Sequence, residues 1–126
     1  MTILLDPHTL LWVLDGSPNL PMTARRKILD SEVVVSVASV WEIAIKSAVK
    51  KLDHGDVILA ELEQRLAQLR FSVLPITLDH AMRSGILPLH HRDPFDRMLA
   101  AQAQAESLPI ISNDKIFDLY GIRRIW

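Results

Sequence analysis

Five acids in this 126-residue chain have the types and spacings that chemistry at a charged substrate requires: Asp6, Glu42, Asp93, Asp96 and Asp114. Asp93 and Asp96 stand three apart in Asp93-Pro94-Phe95-Asp96-Arg97-Met98-Leu99-Ala100-Ala101, on one face of the helix this run predicts. Asp93 before Pro94 reads as an N-cap with proline at the first helical position. Acids in a first turn also complement the helix dipole, by roughly 0.3–1 kcal/mol each. Capping therefore accounts for Asp93 but does not require Asp96. Asp6 ends the apolar run Thr2-Ile3-Leu4-Leu5, and Asp114 follows another, Leu108-Pro109-Ile110-Ile111. Either is also available as a helix cap. Glu42 lies about a turn and a half inside an apolar helical pattern, where a lone carboxylate needs a partner.

If these acids meet, they repel. At about 5 Å and an effective dielectric of about 20, each pair of carboxylates costs roughly 3 kcal/mol. Either some are protonated or a divalent cation sits among them. Oxygen-only ligands select hard ions, Mg²⁺ or Mn²⁺ before Zn²⁺, and a carboxylate cluster holding such ions can activate water against a phosphodiester. The five histidines offer no zinc pattern: His90 and His91 are adjacent, and neither His8 nor His80 has an HxxxH partner.

The elements that must position the acids alternate between strand and helix patterns. Thr2–Leu5 reads as a strand and Pro7–Leu14 as a helix. Gly16–Pro21 is a loop by composition, and Thr23 is a candidate cap for a short basic helix. Glu32–Val35 is a second strand, followed by a helix from Ser36 to about Lys51. Ser39 and Glu42 have capping-box spacing, but Ser36 is the better cap. A break at Asp53–Asp56 precedes a helical pattern over 57–69, then a strand at Phe71–Leu74, a short helix at Leu78–Ser84 and a loop at Gly85–His91. After the helix that Asp93 opens come a strand at Leu108–Ile111, a turn through Leu119 and a last short strand near Ile122–Trp126. This order predicts a three-layer α/β/α domain with a short, mostly parallel central sheet. In such sheets ligands sit beyond the carboxyl ends of the strands, where the acids fall.

Composition fits one globular domain over residues 1–126, with 49% hydrophobic and 23% charged residues. The absence of cysteine suits a reducing cytoplasm. The N-terminus lacks the pattern of a signal peptide, and no apolar run is long enough to span a bilayer. With a net charge of −1, nucleic-acid binding must rest on local groups, of which Arg92, Arg97 and Lys46 lie nearest the acids. Leu11, Trp12, Leu62, Leu66 and Leu69 form stripes that serve either the core or a dimer.

Four stretches, Leu4-Leu5-Asp6-Pro7-His8-Thr9-Leu10-Leu11-Trp12, Ser39-Val40-Trp41-Glu42-Ile43-Ala44-Ile45-Lys46, His90-His91-Arg92-Asp93-Pro94-Phe95-Asp96-Arg97 and Ser112-Asn113-Asp114, resemble the PIN-domain ribonucleases in order and spacing. Within that family the likeness is to the VapC toxins of prokaryotic toxin-antitoxin pairs. The resemblance implies a Mg²⁺- or Mn²⁺-dependent endoribonuclease, a cytoplasmic homodimer silenced by a cognate VapB-type antitoxin that inserts a segment into the active-site groove. It implies that Asp6 and Asp96 are the principal metal ligands. Asp114 corresponds to the fourth acid, and Glu42 to the one that helps hold metal or attacking water. Asp93, Thr9, Ser112 and Asn113 fall at supporting positions. The chain has Pro7 where the family commonly has threonine or serine, so a local hydrogen bond near Asp6 is either missing or supplied by Thr9.

Other readings bear on the same residues. A phosphatase with an aspartyl nucleophile usually has a second aspartate where this chain has His8. A signalling receiver domain needs a late lysine after a strand, whereas Lys115 sits beside an acid. A non-catalytic PIN-like module binding RNA or protein is the alternative from another class, and the complete acid set argues against it.

Overall fold

The computed structural model describes residues 1–90 and 93–126. In chain order these form β1 (Thr2–Leu5), α1 (Pro7–Asp15), α2 (Met22–Leu29), β2 (Glu32–Ser36), α3 (Val37–Ala48), α4 (Gly55–Leu69), β3 (Ser72–Leu74), α5 (Leu78–Ile86), α6 (Pro94–Glu106), β4 (Ile110–Ile111), a 3-10 helix (Lys115–Tyr120) and β5 (Arg124–Ile125). The five strands make one parallel sheet in the order β3-β2-β1-β4-β5. The order reverses at β1, so the crevice beyond the carboxyl ends of β1 and β4 is the switch point where open α/β sheets bind ligands.

Side-chain alternation along β1 divides the core. Ile3 and Leu5 face one side with Leu10, Leu14, Ile28, Ile43, Leu62 and Leu66, whereas Leu4 faces the other with Leu99, Ala100, Ala103, Ile110 and Phe117. The sheet is thus covered on both faces, which is why the strands read as continuous apolar runs rather than alternating ones. Ala100 and Ala103 let α6 approach the sheet closely. α3 and α4 also meet closely, because a Cβ on Gly55 would lie 2.7 Å from that of Ser47.

Most boundaries follow local chemistry. Gly16 closes α1 in a left-handed conformation, donating its N–H to the carbonyls of Trp12 and Val13. Ser36 caps α3 through its hydroxyl, which accepts from the Ala38 N–H at 3.0 Å, so Ser39 and Glu42 form no capping box. The expected cap at Thr23 is a correction: Pro21 precedes α2, without a side-chain cap, and Thr23 lies within the helix. β4 is two residues long, because Leu108 still donates its N–H to Ala103 at the end of α6. Leu62 and Leu66 are core residues, and Leu11 and Trp12 pack against the cluster they belong to.

Candidate active site

Asp6 ends β1, the central strand, and opens α1 as its N-cap. Its Oδ1 accepts the Thr9 N–H at 2.7 Å, and Pro7 takes the first helical position, where its missing N–H is not needed. Thr9 thus supplies the local bond through its backbone, while its hydroxyl donates to the Ile111 carbonyl at 3.0 Å and ties α1 to the end of β4. The other oxygen of Asp6 accepts from the buried Ser112 hydroxyl at 2.5 Å, and that hydroxyl accepts the Asp114 N–H at 3.0 Å. Asp114, exposed, caps the 3-10 helix by accepting from the Ile116 N–H. Asp6 and Asp114 are therefore joined through one hydroxyl across the switch point.

Glu42 reaches the same region from the second turn of α3. It is 7% exposed, and its pKa is raised, foremost by burial. Lys46, with Nζ 3.8 Å from Oε2 of Glu42, opposes the rise; so does His8. Asp93 and Asp6 reinforce it. These influences place Asp6, Asp93 and His8 each within electrostatic reach of Glu42. Asp93 caps α6, with Oδ1 accepting the N–H groups of Phe95 at 2.8 Å and Asp96 at 3.5 Å. Asp96 follows in the first turn, half-buried, and its helix packs on α3. Trp41 beside Glu42 and Phe95 beside Asp96 meet edge to face at 5.1 Å, linking the two acid-bearing helices.

The donor chemistry fits a hard divalent ion. Every acid offers carboxylate oxygen, and Asp93 and Asp6 crowd Glu42 with like charge that a cation relieves. The acids whose carboxylates would have to converge to hold one are Asp6, Glu42, Asp96 and Asp114. Among the described residues, no three Asp, Glu and His side chains stand within reach of one ion.

The basic groups divide differently from expectation. Arg97 is corrected as a phosphate contact: its guanidinium is buried and donates to the carbonyls of Ser84, Leu87 and Pro88 at 2.7, 3.0 and 3.1 Å. Lys46 stays half-exposed beside Glu42. Arg92, with His91, lies outside the described residues. Asn113 is exposed in the turn between Ser112 and Asp114. His8 is a neighbour of the acids that the sequence reading does not single out. Its signal is position, since the second residue after a cap lies at the helix mouth.

A cavity of about 850 Å³ lies elsewhere. It is lined by Trp12, Leu20, Ile28, Val33 and Phe71, with Arg25 and Arg70 among its walls, near the starts of β2 and β3.

The same fold occurs in FitAcB from Neisseria gonorrhoeae, with a TM-score of 0.70 and 22% identity over 98% of this chain and 96% of that one. It occurs in a DNA-bound VapBC from Salmonella typhimurium, with a TM-score of 0.70 and 21% identity over 98% and 96%. A toxin-antitoxin complex from Klebsiella pneumoniae matches with a TM-score of 0.64 and 20% identity over 90% and 87%. No curated protein matches the sequence. The family model for the PIN domain matches residues 3–122, and with the acids at the switch point of this sheet, the chain belongs to the PIN domain family.

Proposed function

We propose that the chain is a Mg²⁺- or Mn²⁺-dependent endoribonuclease of the VapC type, acting in the cytoplasm as a one-domain homodimeric toxin under the control of a VapB-type antitoxin. The observation that carries this reading is the buried carboxyl of Glu42, with Asp93 and Asp6 close enough to raise its pKa at the sheet's switch point. Lys46 offsets part of this like charge, and a divalent ion would offset the rest.

Asp6 and Asp96 are assigned as the principal ligands, completed by Asp114 and Glu42. When bound, the ion supplies Lewis acidity that makes water nucleophilic and shields the phosphodiester. The chain supplies the rest. Ser112 and Thr9 fix the rotamer of Asp6, and Glu42 can take up a proton on a carboxyl oxygen that burial has made more basic. Lys46 stands at the same mouth, available to a phosphate oxygen. Unpaired RNA suits an acidic site, because a flexible backbone can bend into it.

The cavity walled by Arg25 and Arg70 suits an amphipathic antitoxin segment carrying carboxylates, because its lining combines apolar side chains with two cations. Its wall includes the C-terminal half of α1, and α1 begins next to Asp6; nine residues of helix span roughly 13 Å. A segment seated there needs only a short extension to reach the acids. For the homodimer, Val37, Trp41, Ile45 and Val49 recur every four residues at α3, and Leu78, Met82 and Ile86 at α5, all exposed. Both helices pack on α6. Apolar stripes of this extent are uncommon on a monomer's surface, and a two-fold interface pairs such a patch with itself.

Calorimetric titration of Mn²⁺ into metal-stripped wild type and Asp96→Asn, both checked for folding, tests the reading. Binding by wild type and at least tenfold weaker binding by the variant is expected. No binding by wild type makes the acids caps only and leaves a binding module.

A further inference from the structure

We infer that Arg97 and Tyr120 are positioning residues for the acid site, acting together on the carbonyl of Pro88; the inference rests on the metal reading proposed above. Among the described residues, no hydrogen bond joins either side chain to the acids. Each instead follows one of them in its own element.

Arg97 comes directly after Asp96 in the first turn of α6. Its side chain leaves the mouth and turns toward the end of α5, where Nη2 donates to Ser84 at 2.7 Å and to Leu87 at 3.0 Å, with Gly85 at 3.5 Å. Nη1 donates to Pro88 at 3.1 Å. The last carbonyls of any helix lack intrahelical donors and carry the negative end of its dipole. Arg97 supplies those donors to α5 from the neighbouring helix. At 9% exposure its charge is stable there only because the planar guanidinium meets several carbonyls at once.

Tyr120 closes the 3-10 helix that Asp114 opens. Its hydroxyl donates to the same Pro88 carbonyl at 2.9 Å, its own carbonyl accepts from Nε2 of Gln104 on α6 at 2.9 Å, and its ring meets His90 edge to face at 5.3 Å. The Pro88 carbonyl is therefore a shared acceptor for the segment that carries Asp96 and the segment that carries Asp114. It also belongs to the loop that delivers the chain to Asp93. One point thus ties together the segments that carry Asp96 and Asp114, while the Ser112 hydroxyl joins Asp114 to Asp6 from the other side. A clamp placed only for stability has no reason to affect an ion held by the acids. A clamp that sets their spacing does.

The test uses the full chain as Tyr120→Phe, which keeps the ring and removes one O–H, and as Arg97→Lys, which keeps the charge and removes the fork. Each is titrated with Mn²⁺ by calorimetry, with the line shape of bound Mn²⁺ recorded by electron paramagnetic resonance and the folded fraction by circular dichroism. The expected result is Mn²⁺ affinity weaker by about threefold to tenfold in Tyr120→Phe and by tenfold or more in Arg97→Lys, with an altered line shape, in protein that is fully folded. If Arg97→Lys does not fold, Tyr120→Phe decides alone. Folded variants that bind Mn²⁺ like wild type overturn the positioning role and leave the metal site standing. A wild type that binds no Mn²⁺ overturns the metal reading and this inference with it.

Discussion

The Ser112 hydroxyl donates to Asp6 and accepts the backbone N–H of Asp114, so one buried oxygen joins the acid that ends β1 to the acid that follows β4. The two strands are sheet neighbours, with Leu5 paired to Ile111. The side chain one residue beyond Ile111 is thereby set beside the one beyond Leu5. Ser112→Ala leaves an oxygen of Asp6 and the Asp114 N–H without this partner. We expect a loss of about 1–3 kcal/mol in urea unfolding and weaker Mn²⁺ binding by calorimetry. An unchanged midpoint and affinity contradict the assignment.

Glu42 makes stability depend on pH. Burial, reinforced by Asp93 and Asp6 and opposed by Lys46 and His8, raises its pKa above the ordinary 4.5. The native protein then binds this proton more tightly than the unfolded chain does. The contribution is fully present below the ordinary value, declines as pH rises through the window above it, and is lost past the raised pKa. Glu42→Gln removes the dependence. In metal-free buffer the variant is expected to be more stable than wild type at pH 7, with the gap closing toward about pH 4. Urea midpoints across that range are the check, and a gap independent of pH argues against it.

Asp93 separates capping from charge. Its carboxylate accepts the N–H groups of Phe95 and Asp96. Asp93→Ala is expected to cost about 1 kcal/mol of stability, whereas Asp93→Asn keeps most of the cap. Since Asp93 also raises the pKa of Glu42, both changes should bring that pKa down. Thermal melts and carboxyl NMR titration read the two effects separately.

The homodimer proposed above places the exposed apolar stripes at α3 and α5 in its interface. Ile45→Glu together with Ile86→Glu is expected to halve the mass measured by light scattering, without changing the circular dichroism spectrum. Both side chains are exposed in the protomer, so its own core is left intact. A wild type of monomer mass rejects the dimer outright.

What is legible in the chain alone is what is local. Strand and helix periods locate the elements, and Asp93-Pro94 and Asp6-Pro7 announce their caps, because a cap and its partners lie within three residues. Arg97 misleads for the converse reason. Beside two acids it looks like a phosphate contact, but its carbonyl partners lie 9 to 13 residues earlier, brought near only when α5 folds back on α6. The Ser112 bridge likewise spans 106 residues and depends on the pairing of β1 with β4. His80 does leave a local trace. It stands three residues after Thr77 and takes the place of glutamate in a capping box, its Nδ1 accepting the Thr77 N–H at 3.0 Å. That bond leaves the proton on Nε2, which meets Glu106 on α6 at 2.8 Å.

The most direct measurement is cleavage of a labelled single-stranded RNA by wild type, Asp6→Asn and Asp96→Asn, each with Mg²⁺ or Mn²⁺ and again with chelator. If the acids hold a catalytic ion, wild type cleaves only with the ion present, and the rate falls by at least about a hundredfold in both variants. Cleavage that persists in chelator, or in both folded variants, contradicts that role.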